Sequence, residues 1–124
     1  MKTAVHIARI LLGLIFLVFG LNGFYTFIPV PEYHPFMALL VSSGLIFFVK
    51  AIEVTAGLLL LLNRFVLAAL VLLGPVVVNI ALFHLLIDHR NWPIALVNLL
   101  LYGVLVGNYW AYFKVFLKPK VDQL

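Results

Sequence analysis

Four long apolar segments, separated by short polar turns, constrain this chain more than any other feature of its sequence. They cover residues 4–27, 36–62, 65–87 and 93–116. About 20 apolar residues in a helix are enough to cross a bilayer core about 30 Å thick. Within that core a helix also satisfies its own backbone hydrogen bonds. The sequence therefore predicts an all-α membrane protein whose four transmembrane helices form an up-and-down bundle, a single domain over residues 1–124.

Composition agrees with this fold and excludes several classes of function. Hydrophobic residues make up 66% of the chain and charged residues only 10%. The chain has no cysteine, which excludes a CxxC redox pair, a disulfide framework and thiolate metal ligation. The net charge of +4 comes from cations near helix ends, where they set orientation, so it does not indicate nucleic-acid binding. The lipid bilayer is the first partner that the composition predicts.

The distribution of basic residues predicts the orientation of the bundle. One side carries the two termini and the middle turn, and the other side has only Arg90. Loops rich in Lys and Arg stay in the cytoplasm, so we expect both termini on the cytoplasmic side of the inner membrane. No small-x-small cleavage site follows the first segment, so we expect that helix to be retained. The basic residues of the cytoplasmic side are Lys2, Arg9, Arg64, Lys114, Lys118 and Lys120.

The second segment carries a cation and a carboxylate near its middle. Charges at that depth cost about 2.5–3.5 kcal/mol each on insertion scales, so they need partners. Lys50 and Glu53 are three residues apart and therefore share a helical face. Gly57, four residues after Glu53, lies on the same face. Arg9, on a glycine-rich stripe of the first segment, is a second candidate partner for Glu53, or it snorkels to the membrane surface. The group is either a structural ion pair or a protonatable carboxylate beside a small-molecule site.

A second set of polar residues belongs to the outer half of the bundle: Asn22, Asn79, His84 and Asn98. Asn79 and His84 are five residues apart and do not share a face, so one common pocket does not follow from the spacing. His84 has no second histidine at ligand spacing on its helix, which gives little support for a metal or haem. We expect it to bond to Asn22 or Asn98, or to donate to a ligand such as a quinone carbonyl.

Several residues predict breaks in the helices. Residues 26–35 hold three prolines with Glu32 and His34, which favours a semi-rigid extended loop in which His34 is solvated. The second segment is longer than the bilayer core, so it either tilts or breaks at residues 42–44. Pro75 is expected to kink the third helix and to free the carbonyl of Val71.

The fourth segment has two unlike faces. A polar and aromatic stripe of Asn98, Tyr102, Tyr109 and Tyr112 predicts the side that faces the bundle. Gly103 and Gly107 form a GxxxG pair on the opposite side, a weak signal for helix association. We therefore expect Gly103 and Gly107 to contact a second copy of the chain.

The chain resembles the DoxX family of small four-helix membrane proteins over essentially its whole length. The resemblance is carried by residues 8–16 and 19–24, by Lys50 to Glu53 with Gly57, and by residues 63–65, 74–75, 79 and 83–84. It implies a four-helix bundle and, through a few members, a link to thiosulfate:quinone oxidoreductase. The resemblance matches five polar positions of the family pattern and implies no catalytic role for them. These positions are Arg9, Asn22, Glu53, Asn79 and His84. Leu67 stands where the family pattern has a proline.

These observations lead to an expected function. The protein is a quinone- or amphiphile-binding subunit of a membrane oxidoreductase system, at most an accessory one, with a redox partner subunit. No catalytic residue, metal or bound cofactor is evident in the sequence, and a quinone is the candidate cofactor. The alternatives are a non-enzymatic structural or assembly subunit and a carrier of a small solute. The candidate ligand-binding residues are Arg9, Asn22, Lys50, Glu53, Asn79, His84 and Asn98.

Overall fold

The computed structural model describes residues 2–29 and 34–120, and the regular secondary structure in this part of the chain is entirely helical. The elements are α1 (Lys2–Asn22), α2 (Pro35–Ser43), α3 (Leu45–Leu62), α4 (Val66–Leu82), a π-helical turn (Phe83–Ile87), α5 (Trp92–Asn108), α6 (Trp110–Phe113) and a 3-10 turn (Lys114–Leu117). Three helical stretches are long and apolar enough to cross a membrane, namely α1, α3 and α4 with its π-helical turn. A fourth span is formed if α5 and the bent segment after it count as one. Glu32 and the middle of the predicted extended loop lie outside the described residues.

The four main helices form a bundle in chain order. α1 packs against α3 and α5, and α4 packs against the same two helices. Neighbours are antiparallel, because Arg9 near the start of α1 meets Leu60 near the end of α3. We call the end of the bundle with Lys2 and the turn at residues 63–65 the terminal end, and the opposite end, with Asn22 and the turn at residues 88–91, the distal end. The largest fully buried side chains are Phe16, Leu12, Leu60, Leu70, Leu73, Leu105 and Val77.

The second predicted helix breaks in two at Gly44. This glycine has a left-handed backbone, with φ at +82°, which a residue with a Cβ adopts only at a cost. The hydroxyls of Ser42 and Ser43 each bond to a carbonyl three residues earlier, as at a helix end. Of the two expectations, tilt or break, the structure therefore has the break. No residue of α2, all of which is described, is buried.

The fourth predicted helix was expected to run to residue 116, and this was wrong. α5 ends at Asn108, and the helical segment that follows Tyr109 is turned by 74°. Gly107 and Asn108 are poor helix formers. Tyr109 and Phe113 pack back against the bundle core, which fixes the turn. Tyr112, predicted on the inward stripe, is exposed as a result.

α4 continues through Pro75 rather than ending there. The hydroxyl of Tyr102 in α5 donates to the carbonyl of Leu70 at 2.6 Å, one residue before the predicted free carbonyl at Val71. Pro75 frees the carbonyl of Val71 and not that of Leu70, so this bond does not replace the one lost at the proline. Tyr102 instead joins α5 to α4 on the inward face that the sequence predicts.

Candidate functional site

Glycines bring α1 and α3 into backbone contact. A Cβ atom built on Gly57 would lie 2.6 Å from the backbone nitrogen of Leu17 and 2.8 Å from the carbonyl oxygen of Gly13. Neither backbone atom can move aside as the tip of a side chain would. The small residues at this seam therefore set the distance between the two helices, as expected for close packing in membranes.

Lys50 and Glu53 form an ion pair at the distal part of this seam. The Lys50 ammonium lies 3.4 Å from each carboxylate oxygen of Glu53. Glu53 is 4% exposed, whereas the Lys50 side chain keeps 21% of its surface exposed. The stem of Lys50 crosses Gly23, where a Cβ atom would lie 2.4–2.9 Å from three of its carbons. Lys50 is thus the cation that pairs with Glu53, a question that the spacing alone left open.

Arg9 binds a helix end instead of a carboxylate. Its side chain is buried, and one guanidinium nitrogen donates to the carbonyl of Leu60 and, at 3.4 Å, to that of Leu61. The last carbonyls of a helix lack partners within the helix and carry its negative dipole end. Leu60 is seven residues beyond Glu53, about 10 Å along α3. The charged group predicted from the sequence, Arg9 with Lys50 and Glu53, is therefore divided. Arg9 lies at the terminal end, and Lys50 lies level with the last turn of α1.

Asn22 closes the loop that follows α1. Its side-chain oxygen accepts bonds from the backbone nitrogens of Phe27 and Ile28, at 2.9 and 2.8 Å, and its nitrogen donates to the Ile28 carbonyl at 3.2 Å. These bonds turn the chain at residue 22, which is why α1 ends five residues before the predicted boundary at 27. The Asn22 amide is therefore committed to backbone atoms.

The structure does not bring the four predicted outer polar residues into one pocket. Asn79 is exposed on α4, and Asn98 is 3% exposed. The Asn98 side-chain oxygen has no hydrogen-bond partner within residues 2–29 and 34–120. His84 bonds to the Asp88 carbonyl, not to Asn22 or Asn98.

An apolar cleft lies at the distal end between α5 and the end of α4. Its volume is about 290 Å³. The π-helical turn forms one side, and such turns are frequent at functional sites. The polar groups of the lining belong to His84, His89 and the indole N–H of Trp92, and the other members are apolar. The lining residues are Ala81, His84, Leu85, His89, Trp92, Ala95, Leu96 and Leu99.

The two histidines are held by backbone carbonyls. His84 Nδ1 lies 3.2 Å from the Asp88 carbonyl oxygen, and His89 Nδ1 lies 3.1 Å from that of His84. The turn between them is fastened by Arg90, whose guanidinium bonds to both carboxylate oxygens of Asp88 at 2.7–3.1 Å. Hydrogen bonds from Arg90 hold the pKa of Asp88 well below its usual range. His89 was not among the predicted site residues, although its place between Asp88 and Trp92 at a membrane boundary was visible in the sequence.

His34 also has a defined place at the distal end. The backbone nitrogen of Phe36 donates to His34 Nδ1 at 3.2 Å, which caps the start of α2. The His34 and Phe36 rings both pack against Phe83 in the π-helical turn, with centroids 6.1 and 5.7 Å away. The expectation of a merely solvated loop histidine was therefore wrong, because the helix start and the Phe83 ring order it.

In the part of the chain that is described, no group of three or more His, Asp or Glu side chains is arranged to hold a metal ion. The chemistry that the cleft offers is therefore hydrogen bonding by two imidazoles and the Trp92 indole beside apolar walls. Comparisons of the chain with protein-family models, with curated proteins and with solved structures found no match.

Proposed function

We propose that this protein binds a membrane amphiphile with a polar ring, a quinone being the candidate, in the cleft between α4 and α5. In this proposal it serves as an accessory subunit of a membrane oxidoreductase system of the DoxX type. The supporting observation is the cleft itself, which places His84 and His89 among apolar side chains at the distal end of the bundle.

The shape and lining of the cleft suit such a ligand. Its volume lies just below the range of about 300–1,000 Å³ typical of small-molecule sites, enough for a ring and the start of a chain. Leu85, Leu96 and Leu99 line it and remain exposed. Their exposure leaves the cleft open on the outer surface of the bundle, so a ligand can enter sideways from the hydrocarbon. The rest of an apolar tail would stay among the lipids.

Four of the other predicted site residues, together with Tyr102, support the rival proposal of a structural or assembly subunit. The four are Arg9, Asn22, Lys50 and Glu53. Arg9, Asn22 and Tyr102 all bond to backbone carbonyls or amides, and Lys50 is the basic partner of Glu53. These groups fasten helices and a loop, so we assign them to the fold and not to ligand binding. This chain has no cysteine, so in this proposal the redox chemistry comes from a bound cofactor or from a partner subunit.

Ligand retention in gently purified protein tests the proposal. We expect protein extracted with native lipid to retain a quinone, detected by its absorbance and mass after solvent extraction. Leu99→Trp fills the cleft and should abolish retention. Leu100→Trp is the matched control, because Leu100 is 60% exposed on the same helix and does not line the cleft. A wild-type protein that retains neither a quinone nor its quinol, and that binds neither added decyl-benzoquinone nor the reduced quinol of that compound, would contradict the proposal.

A further inference from the structure

The hydrogen bonds of the two cleft histidines fix which ring nitrogen carries the proton. His84 Nδ1 and His89 Nδ1 each lie at hydrogen-bonding distance from a backbone carbonyl oxygen. A carbonyl oxygen only accepts, so each Nδ1 must carry a hydrogen and donate it. In a neutral imidazole the other nitrogen, Nε2, then has a lone pair and no hydrogen.

Both Nε2 atoms have no partner in the described part of the protein, residues 2–29 and 34–120. Each Nε2 is therefore a hydrogen-bond acceptor without a donor among the described residues. This reverses one of the two roles expected for His84 from the sequence, donation to a quinone carbonyl; the other was a bond to Asn22 or Asn98. The two imidazole acceptors cannot satisfy a carbonyl, which also only accepts and could bond only to the indole N–H of Trp92. A hydroxyl group donates to either Nε2 and can still accept from that indole.

We infer that the cleft selects the hydroxyl-bearing form of its ligand, a phenol or quinol, over the corresponding quinone or ether. This inference rests on the proposed function, because it requires the cleft to be a ligand site. His84 is half-buried and His89 is exposed. A ligand without a donor would cover the His84 Nε2 and leave its lone pair unpaired, which is costly beside apolar walls. One hydrogen bond to a hydroxyl corresponds to about a ten-fold difference in affinity.

A pair of ligands that differ in one hydrogen-bond donor tests the inference. The chain has two tryptophans, and Trp92 lines the cleft. Trp110→Phe leaves Trp92 as the sole tryptophan fluorophore. Titration of this variant in lipid discs with para-heptylphenol and with para-heptylanisole, its methyl ether, should give about ten-fold tighter binding of the phenol. This comparison uses the unaltered cleft, so it does not depend on whether a cleft variant folds.

Histidine variants then locate the acceptor. Asparagine places its amide near the Nδ1 position, so His84→Asn with His89→Asn keeps the donors to the two carbonyls and removes both Nε2 atoms. We expect this double variant to bind the phenol and the ether equally, at the affinity of the ether in the parent protein. Undiminished preference for the phenol in the double variant would overturn the inference.

The outcomes separate this inference from the proposed function. Equal binding of phenol and ether, or tighter binding of the ether, contradicts the inference while the cleft remains a ligand site. Binding of neither compound, with decyl-benzoquinone and its quinol also failing to bind, contradicts both.

Discussion

Lys50 and Glu53 meet within a helical seam that has little room for change. Removing one partner of a fully buried pair costs about 3–5 kcal/mol. Because Lys50 keeps a fifth of its side chain exposed, we expect a smaller loss from Glu53→Gln, about 1–3 kcal/mol. Lys50→Met retains an unbranched stem over Gly23 and should restore much of the stability when combined with Glu53→Gln. Thermal melts of the two single variants and the double variant in detergent measure these effects.

Arg9 supplies the control for that experiment. It bonds to the Leu60 and Leu61 carbonyls, so Arg9→Leu should destabilise the bundle independently of Glu53. The losses from Arg9→Leu and Glu53→Gln should therefore add in the double variant. Recovery of stability on combining these two would show that Arg9, not Lys50, is the partner of Glu53.

Residue spacing predicted the Lys50–Glu53 pair but not the roles of Arg9 and Asn22. Two opposite charges three residues apart on a helix are neighbours whatever surrounds them. Arg9 and Asn22 instead bond to backbone atoms, and every residue offers those, so the sequence has no signal for them. Their partners depend on where α3 ends and how the loop after α1 turns.

At the level of helices, the contact of α1 with α3 depends on Gly57. A methyl group there would press on backbone atoms of Leu17 and Gly13, so Gly57→Ala should destabilise the bundle by about 1–3 kcal/mol. Gly103→Ala is the matched control, since no described atom lies within 4 Å of a Cβ there. It should leave stability unchanged or raise it by up to about 1 kcal/mol through helix propensity. Equal melting temperatures of the two variants as monomers in detergent would contradict the tight seam.

The turn after Tyr109 determines how deep Phe116 lies in the membrane. A straight fourth helix would carry Phe116 about 12 Å beyond Asn108 and out into water. A chain turned by 74° keeps Phe116 near the membrane surface, where aromatic residues are favoured. With Trp92 and Trp110 replaced by Phe, a tryptophan introduced by Phe116→Trp should be strongly quenched by lipids brominated near the headgroup. If the fluorescence of this tryptophan is the same in discs with and without brominated lipid, the fourth helix is straight.

The four apolar segments predicted the main helices because length and hydropathy determine which segments can cross a bilayer. A break at residues 42–44 was one of two expectations, beside a tilt of the whole helix, because serine and glycine are clustered there. The end of α5 was not foreseen, since residues 109–116 are mostly aromatic and apolar and continue the pattern of the helix. The π-helical turn was also missed, because it changes the backbone hydrogen bonds without changing hydrophobic spacing.

For the whole molecule, orientation is the first test. An introduced cysteine can be labelled specifically, because the chain has no cysteine of its own. We expect a cysteine introduced at Asn63 to react only with reagents that enter the cytoplasm, and one at Asn91 to react with impermeant reagents outside. Both residues are exposed, so lack of reaction would not reflect burial. External labelling of position 63 would reverse the orientation, and with it the side of the membrane that the cleft faces.

Association of two copies is the second test at this scale. Gly103 and Gly107 are exposed on α5, and no described atom lies within 4 Å of a Cβ built on either. If this face contacts a second copy, Gly107→Leu should shift a dimer toward monomer in mild detergent. Single-molecule photobleaching of labelled protein in lipid discs counts the copies. A monomeric wild-type protein would contradict the predicted contact.

The joint between α2 and α3 favours a D-residue over an L-residue at position 44. Gly44 has a left-handed backbone, and no described atom lies within 4 Å of its missing side chain. Space therefore does not require glycine at this point. An L-alanine would be opposed only by its own chirality, at about 1–2 kcal/mol, whereas a D-alanine would favour the backbone that the joint needs. The direction in which α2 leaves the bundle thus depends on a left-handed backbone conformation that achiral glycine adopts without this cost.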